Sequence, residues 1–157
     1  VFFTAVCFII SGATLILATD PSKESANKKI TIASAIVLGI IITFVIERIT
    51  GKILLEQLFV RNQTIKTVMS GSLSHATMFN FILSSIAGFI TASKPESKLE
   101  VNMIGLLIAS IGAIGVFGYL IGAPIFYYEI PNYSTGMAFP TSLLFILLGL
   151  GWWSLER

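Results

Sequence analysis

Five apolar stretches run almost end to end along the chain: Val1–Thr19, Ile30–Ile46, Leu73–Ala92, Val101–Ala123 and Met137–Trp153. A helix needs about 20 mostly apolar residues to cross a bilayer, and each stretch meets or nears that length. The chain is 55% hydrophobic and only 11% charged, where a soluble domain carries about 25% charged residues. A chain of 157 residues has too little interior to hide so much apolar surface from water. Lipid is therefore expected to cover it. The predicted fold is all-α, a polytopic transmembrane bundle of about five helices forming one membrane-embedded domain over residues 1–157. Val1 opens in mid-hydrophobic sequence with no initiator Met, so the domain reads as a piece of a longer chain.

The connections between stretches are of two kinds. Asp20–Lys29 and Ser93–Glu100 are short, charged and proline-containing, and read as tight helix–helix turns. With the C-terminus they hold Lys23, Lys28, Lys29, Lys94, Lys98 and Arg157, against Arg48, Lys52, Arg61 and Lys66 on the other side. The positive-inside bias places the short turns and the C-terminus in the cytoplasm, in a multi-pass protein of the inner membrane, with Trp152 and Trp153 at the interface. The outer connections are longer. In the first, Ile53–Val60 repeats its apolar residues at helical spacing, which predicts a short amphipathic helix on the membrane surface. The second carries Phe126, Tyr127, Tyr128 and Tyr133, an interfacial belt or a lid.

Self-similarity ties the odd-numbered stretches together. Thr4, Phe8 and Gly12 recur as Thr77, Phe81 and Ser85, and again as Thr141, Phe145 and Gly149. Steps of four residues put each set on one helical face, where the small residue permits close backbone approach. The even stretches end alike, with Glu47-Arg-Ile-Thr-Gly51 answering Gly118-Tyr-Leu-Ile-Gly122. These matches predict tandem hairpin repeats in parallel orientation. Gly105, Ala109, Gly112, Gly115, Gly118 and Gly122 give the fourth stretch a small-residue face, read as tight packing. Asn80 is the most polar side chain within an odd stretch and is expected to face the bundle and find a partner there.

Several functions are excluded by what the residues lack. Ten Lys and Arg against eight Asp and Glu leave a net charge of +2, too small and dispersed for a nucleic-acid surface. One cysteine, Cys7, allows no disulfide framework and no thiolate metal cluster. The sequence contains no Gly-x-Ser-x-Gly, no His-Glu-x-x-His and no phosphate-binding glycine loop. No catalytic residue, metal or cofactor is expected in this segment.

Two accounts of the outer charged residues stay open. Glu47 and Arg48 at the end of the second stretch suit simple interface anchoring. Alternatively, Glu47, Arg48, Glu56 and Arg61 converge with Tyr127, Tyr128 and Glu129 on one outer crevice, aromatic-walled and sparsely charged as small-ligand pockets are. His75 is added to that ligand-binding set as a group able to titrate near neutral pH, or else as a surface or cap histidine.

Taken together, Glu47-Arg-Ile-Thr-Gly-Lys-Ile-Leu-Leu-Glu-Gln-Leu-Phe59, Gly71-Ser-Leu-Ser-His-Ala-Thr77 with Phe81, and Gly136-Met-Ala-Phe-Pro-Thr-Ser142 with Phe145 and Gly149 resemble a known module. It is the multi-helix membrane input domain that precedes PAS and histidine-kinase or diguanylate-cyclase modules in many prokaryotic sensors. In this chain Ser72 and Leu73 stand where that family usually has Arg-Met, and His75 where proline is common. The resemblance implies a sensory input domain, as in two-component systems, with a cytoplasmic signalling domain in cis. The expected partners are membrane lipids and a second copy of the chain. The rival readings are a transporter or channel fragment, and a structural membrane subunit.

Overall fold

The computed structural model describes residues 2–19, 24–50, 73–94, 96–127 and 136–155, and the regular elements among them are helical. In chain order these are α1 (Phe2–Ala18), α2 (Glu24–Thr50), α3 (His75–Ser93), α4 (Lys98–Ile121) and α5 (Phe139–Trp153), with a 3-10 turn at Pro124–Tyr127. Three helices, α2 from Ser25, α3 and α4, are long and apolar enough to cross a membrane. Of the five expected spans only these three meet that length; α1 and α5, with 17 and 15 residues, are shorter apolar helices. Pro140 in its first turn sets the late start of α5, since proline has no N–H to offer further into a helix.

Polar flanks that looked like turn are partly helix. α2 begins at Glu24, six residues before the apolar stretch, because residues 24–29 contain neither Gly nor Pro and bury Ala26. α4 likewise begins at Lys98, in a Lys-Leu-Glu run of good helix formers whose Glu100 suits the positive end of the helix dipole. It stops where Gly122 turns left-handed at φ 65°, and Ala123 N–H reaches back to Gly118 O at 2.9 Å. Gly122 therefore reverses the chain rather than packing a helix.

α3 packs against all four other helices and is the buried centre of the bundle. Of its apolar window 61% is buried, against 28% for α2 and 33% for α4. The three phenylalanines of the shared spacing meet there: Phe8–Phe81 at 4.9 Å, Phe8–Phe145 at 4.6 Å and Phe81–Phe145 at 5.0 Å between ring centroids. Such tilted and edge-on contacts suit the aromatic quadrupole. α4 and α5 form the most extensive pair. A Cβ added to Gly105 would lie 2.6 Å from Trp153 N, and one on Gly112 would lie 2.7 Å from Ser142 O. One on Gly149 would strike Ala109 N and Gly105 O. The seam closes backbone to backbone, as helix pairs in lipid do when dispersion must supply the attraction. Gly12, by contrast, has nothing within 4 Å of an added Cβ among the described residues, so no close approach is made there.

Candidate functional site

The end of α2 meets the start of α3 through backbone capping. Ser74 is the N-cap of α3, its Oγ accepting from Thr77 N at 3.2 Å and lying 2.7 Å from Thr77 Oγ1. This satisfies one of the N–H groups that a helix start leaves open. One residue earlier, Leu73 O accepts from Arg48 Nη1 at 3.2 Å. Arg48 thus anchors the return of the chain to the end of its own helix. Beside it opens a groove of about 350 Å³, lined by Val45, Arg48, Ile49, His75 and Met78. Two cationic or titratable side chains and three apolar ones line it, which gives it an amphipathic character. Glu47 is half-buried in the preceding position.

Tyr127 lies in a different cluster. Its ring stacks on Tyr119 of α4 at 4.3 Å and 13°, while Tyr119 Oη donates to Met137 O at 2.9 Å. Met137 N donates to Tyr127 O at 2.7 Å, which ties the 3-10 turn to the entry of α5. Phe139 meets Tyr119 edge-on at 5.6 Å. The structure thus brings Arg48 and His75 together and gives Tyr127 to the α4–α5 connection. Glu56, Arg61, Tyr128 and Glu129 lie outside the described residues, as does the expected amphipathic helix at 53–60.

The packing residues divide by depth. Thr77, Asn80, Phe81, Ser85 and Phe145 are buried, and Gly112, Gly118 and Gly149 press on the neighbouring backbone or on Phe126, while Thr4 and Thr141 are half-buried. Asn80 was expected to find a partner. Instead it is 0% exposed, and neither Nδ2 nor Oδ1 has one among the described residues. Ser34 Oγ and Ser85 Oγ are also buried and unpartnered.

Two contacts were not anticipated. Trp152, expected at the membrane interface, is 0% exposed, and its Nε1 donates to Ser84 Oγ at 3.1 Å. A Trp at the end of an apolar stretch reads as an interface anchor; only the packing of α5 on α3 turns it inward. Asn102 lies against the end of α5. With its amide nitrogen turned toward them it donates to Lys98 O at 3.1 Å and Trp153 O at 3.2 Å. The spacing of Ser84 four residues from Asn80 was the available signal for a polar stripe on α3.

Among the described residues no group of three His, Cys, Asp or Glu side chains gathers as a metal site requires. Cys7 is buried in the core. The described arrangement offers an amphipathic groove at one end and a close-packed centre crossed by the Trp152–Ser84 hydrogen bond. No family model, curated protein or solved structure matches the chain.

Proposed function

We propose that this chain is the membrane-embedded input part of a signalling protein. A stimulus in the membrane or at the outer groove shifts helix packing, and α5 carries the displacement to an effector attached in cis on the cytoplasmic side. The observation that carries this reading is how α5 is held. Phe145 sits in the three-ring cluster with α1 and α3, Gly149 rests on the α4 backbone, and Trp152 bonds to Ser84 of α3. A change in the packing of α1, α3 or α4 is therefore felt by α5, which is the mechanical property a relay needs.

Three further points belong to the same proposal. The helices form tandem parallel hairpins, a reading supported by the meeting of Phe8, Phe81 and Phe145. The lysine-bearing short connections and the C-terminus face the cytoplasm across the inner membrane. The exposed apolar faces meet lipid and a second copy of the chain. A ligand in the Arg48–His75 groove drives the relay only by binding two packings with different affinity.

Peptide mass spectrometry of the native protein tests the reading. Peptides that continue past Arg157 into a heptad-patterned helix and a signalling domain are expected; a native chain ending at Arg157 overturns the relay. A transporter is the second reading, favoured by Asn80, Ser34 and Ser85, whose buried side chains have no partner among the described residues. Solute or ion flux into liposomes carrying the purified protein decides for it.

A further inference from the structure

The groove beside Arg48 has the chemistry of an amphiphile site. Val45, Arg48 and Ile49 of α2 line it together with His75 and Met78 of α3, and none of these described residues is acidic. Its volume of about 350 Å³ lies at the lower end for small-ligand sites. Such a space takes a polar head and its first methylenes, while a longer apolar chain has to lie outside it.

Both helices supply a path for that chain. Ile42 shares a face of α2 with Val45 and Ile49, and all three are exposed. On α3 the exposed Phe79 stands one turn beyond His75 on the same face. Arg48 meets Leu73 at one end of the pair, and Ser34 meets Gly88 further along it, so α2 and α3 run antiparallel. The two apolar stripes therefore leave the groove in the same direction, away from these helix ends. From Ser25 to Thr50 α2 is ~39 Å long, against a hydrocarbon core about 30 Å thick, so in a bilayer its ends reach the headgroup layer. Arg48 stands in the last turn of α2 and His75 opens α3, which puts the polar pair at headgroup depth and the stripes in hydrocarbon.

The charge selects the head. Leu73 O holds the guanidinium in place through Nη1, and a guanidinium is a planar fork of N–H groups that matches phosphate oxygens. The imidazole of His75 adds an N–H donor, and the start of α3 adds the positive end of its dipole. A free anion would leave Val45, Ile49 and Met78 uncovered, and a zwitterionic lipid would bring an ammonium group beside Arg48. We propose that this groove binds one anionic phospholipid of the surrounding bilayer, its phosphate against Arg48 and His75 and an acyl chain along Ile42, Val45 and Ile49. This rests on the reading of the chain as a membrane-embedded input domain, and deepens it by naming the ligand class of its groove.

The test takes the full-length chain in micelles and counts retained lipids by native mass spectrometry as phosphatidylglycerol or phosphatidylcholine is added. The first phosphatidylglycerol is expected to bind about tenfold more tightly than the first phosphatidylcholine, the size of one charge-assisted hydrogen bond. Arg48→Gln is expected to abolish the preference and His75→Leu to reduce it; a preference that survives in Arg48→Gln overturns the site. Because Arg48 also holds Leu73 O, a second measurement leaves the sequence intact. Phosphatidylglycerol with a photoreactive acyl chain is irradiated in phosphatidylcholine nanodiscs carrying the wild-type chain, and the labelled residues are identified. Labels are expected on Ile42, Val45, Ile49 or Phe79, and an excess of unlabelled phosphatidylglycerol is expected to remove them. Equal affinity of the wild type for the two lipids, or labelling spread evenly to other exposed residues such as Ile32 and Leu120, overturns the proposal. Displacement of the bound lipid by an equal concentration of soluble glycerol phosphate makes the groove a site for a free anion and overturns it too. Lipid retention is read without any effector, so its failure leaves the relay reading standing, and a native chain ending at Arg157 leaves the lipid site standing.

Discussion

α2 and α3 are neighbours in the bundle, yet they solve the membrane in opposite ways. α2 turns Ile32, Ile36, Ile42 and Ile49 outward and buries only 28% of its apolar window. α3 is less apolar, carries Thr77, Asn80, Ser84, Ser85 and Thr91 in buried positions, and has 61% of its window buried. In water the more apolar helix would be the hidden one. In lipid an exposed isoleucine is at no disadvantage, while an exposed amide or hydroxyl is, so polarity is sorted toward the centre. The inverted sorting is a physical reason to read the bundle as membrane-embedded beyond the length of its helices.

The contrast between the two helices is expected to be widest at Phe81 and Ile36. Phe81→Ala removes one ring from the three-phenylalanine cluster, and a loss of about 3–5 kcal/mol is expected in unfolding from mixed micelles. Ile36→Ala on the outward face of α2 should stay within about 0.5 kcal/mol of wild type in the same titration. Equal losses at both positions would mean that α2 is not lipid-facing.

Charge sharpens the same contrast. Ile36→Asp, near the middle of α2, is expected to reduce membrane integration by about 2.5–3.5 kcal/mol, read as the integrated fraction in a glycosylation-mapping assay. Full integration of this variant would show that water or a polar partner reaches that face.

Glycines give a matched pair with a smaller effect. A Cβ at Gly88 of α3 would strike Ser34 Oγ, whereas one at Gly39 of α2 meets nothing within 4 Å. Gly88→Ala should therefore destabilise by about 1–3 kcal/mol, and Gly39→Ala should gain up to about 1 kcal/mol from helix propensity. Thermal unfolding in detergent orders the two variants, and the reverse order would refute the packing described for α3. The smallest expected effects lie within the polar stripe. Ser84→Ala should lose about 0.5–1 kcal/mol with its indole hydrogen bond, while Asn80→Leu should gain about 1 kcal/mol by removing an unpartnered buried amide.

Much of the helical content was legible because apolar stretches of about 20 residues have few alternatives in lipid. The recurring Thr, Phe and small residue also carried spatial information, since Phe8, Phe81 and Phe145 do meet. The helix ends were less legible. Residues 24–29 are charged yet helical, because charge alone does not stop a helix that contains no Gly or Pro. Of the candidate site, the charged pair at 47–48 and His75 were visible as isolated groups. Their grouping was not, because it depends on Arg48 reaching across to Leu73 O, 25 residues away along the chain.

By itself the sequence determined that this chain is helical and too apolar for water, with a repeated phenylalanine spacing and small residues along α4. Those are local properties, set by hydropathy, helical period and the absence of breakers. Tertiary structure alone decided that α3 is the centre, that Trp152 turns inward to Ser84, and that Asn80 is buried without a partner among the described residues. It also decided that Gly149 packs on the backbone of α4 while Gly12 meets nothing within 4 Å among the described residues. In a chain this apolar most helix faces are hydrophobic enough to be buried, so composition cannot choose among them; close backbone approach and a few hydrogen bonds do.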